Sequence, residues 1–325
     1  MADYKSIHGT NIETVSSDPS NPVNGQVWYN STSQTLKGFT QNPVGSWASG
    51  GNLNDARAHL AGSGNGTQTA TIVFGGAYDR TDNTESYDGT SWTEVNNLNA
   101  ARYGHAGAGT ATAALCFGGH NEVTPADLAI NEIWDGTNWT EVADLNTVKR
   151  YAGGNGTSTS ALAVGGYDGT NNLANVETWN GTSWTEGADL NTARNAGYSV
   201  GANSTSSLFC GGKPDVAIVE SWNNTAWTEV GDLNLGREDM GGAGTSTSAV
   251  YFGGLSPGAS ASTEQWNGTA WTEVADISTA RSTYHGAGTQ SSALAAGGLT
   301  PPGAAQQGTE EYTSPLDATV TFTVS

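Results

Sequence analysis

Glu177-Thr-Trp-Asn-Gly-Thr-Ser-Trp-Thr-Glu-Gly-Ala-Asp-Leu-Asn-Thr-Ala-Arg194 is the line on which the rest of the chain is built. Near copies run from Glu85 to Arg102, Glu132 to Lys149, Glu220 to Arg237 and Glu264 to Arg281. Its second half stands alone at Trp47 to Arg57, and its first half alone as Glu310-Glu-Tyr312. From each of six tryptophans (Trp47, Trp92, Trp139, Trp184, Trp227, Trp271) a Leu or Ile follows six residues on. A basic residue follows ten residues on: Arg57, Arg102, Lys149, Arg194, Arg237, Arg281. Between copies lie a stretch of small residues, such as Tyr103 to Thr110, and an apolar run, such as Ala113 to Phe117, closed by Gly-Gly. Asp-Gly or Asn-Gly between the aromatic and the Trp predicts a hairpin, because a primed turn needs positive φ. Four short strands in a period near 45 residues predict a β-propeller blade, not a helical solenoid.

A Gly-Gly doublet after an apolar strand, then an aromatic, a Trp, and an Arg opening the next unit resemble the kelch repeat. The resemblance spans about residues 45–313 in six copies and implies an all-β, six-bladed kelch-like propeller. The sequence departs in its short turn from Trp179 to Trp184 and in Lys149 where the pattern has Arg. The anchor segment comes first, at Trp47, and the Glu-x-aromatic strand comes last, at Tyr312. The N-terminal strand is therefore expected to complete the blade made by the C-terminal strands, which removes the open sheet edge. Three parts are expected: an N-terminal segment 1–44 with a small β-hairpin, the propeller 45–313, and a strand within 314–325, where Val320, Phe322 and Val324 alternate with Thr. That last strand has the N-terminal hairpin or another subunit as its candidate partners.

Composition narrows the function classes. The chain has 325 residues, 45 of them Gly, only 13% charged, and a formal net charge of −20. Six of the eleven basic residues sit at one repeat position, which leaves too few for a phosphate-binding patch. Nucleic acid and anionic membrane are thus poor partners. No stretch nears 18 apolar residues, and the first residues lack the apolar core of a secretory signal. Cys116 and Cys210 read as buried thiols on equivalent apolar strands.

Residues in every blade serve every blade. The repeated Arg and Glu are expected to bind carbonyls or one another between adjacent blades, and the Trp row to pack blade against blade. His59, His105 and His285 stand at differing offsets near three inner strands, without metal-ligand spacing. No hydrolase, metalloprotease or phosphate-loop motif occurs, so no catalytic residue, metal or cofactor is assigned. The copper chemistry of galactose oxidase, a kelch-type propeller, is not carried over, because both cysteines sit on core strands. The links from Gly-Gly to the next Glu differ in every copy, on the face that also carries the Leu-Asn-x-x-Arg connections. Variable loops on a constant scaffold are where recognition sits. The candidates there are Tyr78, Asp79, Arg80, His120, Asn121, Tyr167, Asp168 and Lys213.

Gly25 to Phe39 resembles a hairpin of bacteriophage tail-fibre and other virion proteins, marine phages among them. The resemblance implies a non-enzymatic virion protein, a tail-fibre, receptor-binding or decoration component. Its hairpin and termini would join other virion proteins, and its loops would meet a host-surface glycan or receptor. Release by lysis fits the expected lack of a signal. A homo-oligomer is compatible with this reading, though no heptads specify one. The alternatives are a bacterial extracellular or cell-surface module for carbohydrate or protein, and a propeller enzyme.

Overall fold

The computed structural model describes residues 12–23, 25–41, 44–77, 82–121, 125–314 and 317–322. Two compact units emerge, residues 46–314 and a smaller one from residues 1–45 with 315–325. Among the described residues no helix is long and apolar enough to cross a membrane.

The larger unit is six four-stranded antiparallel sheets. The second shows the plan, with Ala106–Thr110 innermost, then Ala113–Phe117, Asn131–Trp134 and Trp139–Val142 outermost. In the sixth sheet the outermost strand is Ser46–Ser49, paired to Thr309–Thr313 with Trp47 opposite Tyr312 and Ala48 opposite Glu311. The ring closes on the split copy, as its halves require.

Small residues line the axis for a steric reason. A Cβ on Gly107 would sit 2.3 Å from the Gly62 carbonyl oxygen of the preceding blade, and one on Gly154 would sit 2.5 Å from that of Gly107. Further out, each outer Trp packs on the preceding blade. Trp139 meets Phe74 edge-on at 4.8 Å, Trp184 meets Phe117 at 4.9 Å, and Trp47 meets Phe252 at 4.9 Å across the closure. Trp139 and Trp92 also donate their indole N–H to Thr84 and Thr309 of the preceding blade. Val176 holds the equivalent position before Trp227, and that indole N–H is left without an acceptor.

The Leu-Asn-x-x-Arg links explain the invariant Glu. Glu132 accepts the Arg102 guanidinium on one oxygen at 2.8 Å, and the backbone and side-chain N–H of Asn99 on the other at 2.7 Å each. The same basic–Glu pair recurs as Arg57–Glu85, Lys149–Glu177, Arg194–Glu220, Arg237–Glu264 and Arg281–Glu310. Both partners are buried in every copy. The basic residue's own carbonyl accepts the second Gly-Gly amide of the preceding blade, from Gly76 to Arg102 through to Gly298 to Arg57. The link thus ties two blades with one residue.

One local expectation needs correction, and one gains detail. The outer hairpin loop is not a two-residue primed turn, because Trp134 pairs directly with Trp139. Asp135 Oδ1 accepts the amides of Thr137 and Asn138, and only Gly136 takes positive φ, at 96°. The acidic or amide residue is a cap, and Gly is needed at one position alone. The cysteines are not in register: Cys116 stands two residues before its Gly-Gly and Cys210 one, so successive-residue alternation turns them to opposite sides of their blades. Both are free and buried.

In the smaller unit Val27–Asn30 and Thr35–Gln41 form the expected hairpin, and Asp317–Phe322 pairs with Thr35–Gln41. Glu13–Val15, a three-residue strand with no readable pattern, adds in parallel to Val27–Asn30. Trp28 is buried, and its indole N–H donates to Asp18 Oδ1 at 3.0 Å, as does the Asn30 amide at 2.7 Å. Lys37 meets Asp18 Oδ2 at 2.6 Å, and these bonds, Lys37 foremost, hold that carboxyl down at about 2.

Candidate functional site

Two residues past each basic residue the backbone turns left-handed. His59, Tyr151, Ala196, Asp239 and Thr283 take φ between 52° and 57°, and Gly104 takes 61°. Each donates its amide to the carbonyl of its counterpart in the preceding blade: Gly104 to His59, Tyr151 to Gly104, Ala196 to Tyr151, Asp239 to Ala196, Thr283 to Asp239 and His59 to Thr283. The six amides close a ring around the axis on the link face.

A second ring surrounds it. The residue just past each basic residue bonds through its carbonyl to the first amide of its own blade's variable loop: Ala77 to Ala58, His120 to Tyr103, Tyr167 to Arg150, Lys213 to Asn195, Leu255 to Glu238 and Leu299 to Ser282. Links and variable loops therefore share one face, and the first residue of each loop is drawn to the axial mouth. Three of the loops fold back as two-residue hairpins of their own, for example His120–Asn121 with Ala126–Asp127.

The mouth leads into a cavity of about 90 Å³ lined by His59, Tyr151, Asp239, Thr283 and the first inner-strand residues. It is a cup, not a through-channel. Tyr198 reaches from the fourth blade to the sixth, donating to the Gly286 carbonyl at 2.8 Å and accepting its amide at 3.2 Å. Nearer the opposite face, the Asn65 amide crosses to the carbonyls of Gly156 at 3.0 Å and Ala202 at 2.9 Å.

One rim is aromatic and cationic. His59 packs on Tyr103 at 6.0 Å and on Tyr151 at 5.8 Å, and Tyr103 meets His120 edge-on at 5.4 Å. The Arg150 guanidinium lies over Tyr151 at 5.7 Å and Tyr167 at 5.2 Å. Asp127 Oδ1 receives His120 Nδ1 at 2.7 Å and Arg150 at 3.1 Å. Arg150 Nη1 also lies 2.8 Å from His120 Nδ1, but Arg only donates; the ring nitrogen donates to Asp127, so that close approach is not a hydrogen bond. The other rim is acidic. Glu238 faces Lys213 at 3.5 Å, while the Asp239 carboxylate takes no hydrogen bond among the described residues.

Burial sets the protonation states. It pushes His59 down to about 4, and His105 and His285 down to about 3, so all three imidazoles are neutral. His105 accordingly bonds through Nε2 to the Phe74 carbonyl at 3.0 Å and sits in the blade wall. Among the described residues no three His, Cys, Asp or Glu side chains gather as metal ligands. Burial first, then Glu238, raises Asp239 to about 7, while Lys213 acts the other way.

Between about pH 4 and 7 folded Asp239 keeps a proton that the unfolded chain has lost. Its contribution to stability is therefore fully present below about 4 and gone above about 7. Asp239→Asn is expected to be about 2 kcal/mol more stable than the parent at pH 8, half the unscreened figure because mouth water reaches the group, and equal to it at pH 4. Urea melts at both pH values check this, and a difference that does not change with pH would refute it.

Of the residues expected to line a recognition surface, His120, Tyr167 and Lys213 open their loops at the mouth. Asn121 pairs with Ala126 in its loop hairpin. Asp168 is consumed in its own turn, where Oδ1 accepts the amides of Thr170 and Asn171, the bonds that hold its carboxyl low. Tyr78, Asp79 and Arg80 lie outside the described residues. The left-handed ring and its neighbours Tyr103, Arg150 and Glu238 were not foreseen. A signal for them existed: the two positions after the basic residue differ in all six copies, directly behind the most constant link of the repeat.

No known family profile matches the chain, and no curated protein matches it in sequence. Solved structures do. The structure of YjhT, a kelch-repeat β-propeller protein, superposes with a TM-score of 0.68 over 82% of this chain and 99% of that one, at 11% identity. At that identity the likeness concerns the fold, and with the closed ring of six four-stranded sheets it makes this chain an all-β, six-bladed propeller with the fold of YjhT.

Proposed function

We propose that the chain is a non-enzymatic recognition protein of a virion, with the loop face of the propeller turned to a host-surface glycan or receptor. One observation carries the recognition half. Polar and aromatic side chains that differ from blade to blade converge on one mouth, while the repeated Glu, Arg and Trp are used up in the blade walls. Tyr103, Tyr151 and Tyr167 bring aromatic rings of the kind that sugars stack on to the mouth, with Arg150 over the last two and Asp127 paired to it as fixed polar groups. The virion half rests on the hairpin-bearing segment Gly25 to Phe39, which forms the hairpin its sequence suggests.

Labelled full chain is expected to bind host cells, and Tyr151→Ala to weaken that binding about tenfold or more. Absence of binding to any cell surface or glycan array, with normal assembly into particles, would leave only a structural role. The His120–Asp127 pair is the observation that would favour an enzyme instead. Turnover of a bound sugar, lost in His120→Ala, would move the reading there.

A further inference from the structure

We propose that the axial cup is a site for a protonated primary amine, with Asp239 as its counter-ion, Thr283 as a second hydrogen-bond partner and Tyr151 as an aromatic wall. This rests on the recognition reading above and names the ligand chemistry of the same mouth.

Three observations meet there. First, Asp239 lines the cup, and among the described residues no donor bonds its carboxylate. Its neighbour Glu238 has Lys213, at 3.5 Å, and among the described residues Asp239 has no equivalent. Second, Thr283 also lines the cup, is 7% exposed, and its hydroxyl has no hydrogen-bond partner among the described residues. Buried polar groups in native proteins are almost always satisfied, so an unsatisfied hydroxyl beside an unsatisfied carboxylate marks a place for a bound group. Third, the aromatic rim supplies what a cation accepts besides a carboxylate, a π face. The volume of about 90 Å³ suits one end of a ligand and not a whole sugar, whose ring would remain on the tyrosines outside.

The other charged and titratable groups around Asp239 allow this. Across the ring stand His59, which is neutral, and Tyr151, which carries the Arg150 guanidinium over its ring at 5.7 Å. Glu238 adds negative field and Lys213 partly offsets it. The chain's net charge of −20 also draws cations toward it. The bound ammonium would donate to the Asp239 carboxylate and to Thr283 Oγ1, with no bond made or broken. An amine would favour the ionised carboxylate, so its affinity should rise with pH through about 7.

Such an amine has two sources, an amino sugar on a surface glycan or a free small amine. The test is calorimetric titration of the full chain with glucosamine, glucose and methylammonium chloride between pH 5.5 and 7.5. Glucosamine is expected to bind about tenfold or more tighter than glucose at pH 7.5. The gap should narrow at pH 5.5 and vanish in Asp239→Asn. The pH profile of the parent chain tests the same point if that variant misfolds. Methylammonium that displaces glucosamine identifies any small amine as sufficient; failure to displace it, with the preference intact, identifies the amino sugar. Equal affinity for glucosamine and glucose, a preference that survives Asp239→Asn, or no binding of either amine overturns the proposal. Host-cell binding without amine preference would leave the recognition reading standing while this one falls.

Discussion

Arg194→Ala is expected to destabilise the propeller by about 3–5 kcal/mol and to lower its melting temperature by roughly 10 °C. Arg194 is 1% exposed and carries Glu220, which is fully buried. It also donates from Nε to the Gly211 carbonyl at 2.9 Å and lies over the Phe209 ring at 4.7 Å. Truncation removes the cation but leaves the carboxylate, and an unpaired buried charge is the costly product. Asn191 still donates two N–H bonds to the Glu220 oxygen Oε2, but the oxygen facing Arg194 loses its partner. The chain contains its own milder control. Lys149 keeps the ion pair at 3.2 Å and donates to Asn175 Oδ1, while the Thr147 amide fills in on Glu177 Oε1 at 3.2 Å. Arg194→Lys should therefore lose about 1–2 kcal/mol only. Thermal melts followed by circular dichroism decide it, and an unchanged melting temperature in Arg194→Ala would show that the pair contributes nothing net.

A chain cut to residues 51–314 is expected to lose at least about 4 kcal/mol against one cut to residues 46–314. The two differ by the strand Ser46–Ser49 and Gly50. Without that strand Tyr312, fully buried, loses the Trp47 ring at 5.1 Å, and Phe252 loses it at 4.9 Å. Thr309–Thr313 then becomes an open edge with unpaired amides and carbonyls, a template for aggregation. The shorter chain should also elute as larger species on size exclusion. Equal denaturant midpoints for the two would mean that closure by this strand is ornamental. The comparison begins from 46–314, and a cooperative melt of that piece is its first requirement.

The sequence made the ring legible because a repeat displays its own alignment. Six tryptophans at fixed distance from six basic residues, and one copy split between the ends, are enough to count blades and close them. The candidate site was only partly legible. The long variable loops are the conspicuous part of the sequence, and three of their first residues do open the mouth. The left-handed ring was not legible because its positions follow directly on the constant link, and a tight turn can hold Tyr151, Ala196 or Asp239 without any turn-forming motif around it. Asp168 misled for the opposite reason: an acidic residue in a loop looks like a ligand, but two backbone amides had the first claim on it. The strand Glu13–Val15 carries too few residues for any periodicity to appear.

The backbone ring at the mouth has an evolutionary consequence. Its bonds involve amides and carbonyls alone, so no side-chain group is needed to hold it. Their present spelling is His, Gly, Tyr, Ala, Asp, Thr. Residues that tolerate a left-handed backbone fit most of these positions, Gly, Asn and Asp at least strain and a β-branched residue such as Thr283 at most, whereas at Gly104 a Cβ would lie 2.8 Å from the Tyr151 ring. A lineage of such propellers could therefore respell its mouth one letter at a time and meet a changing ligand, while every blade kept its place.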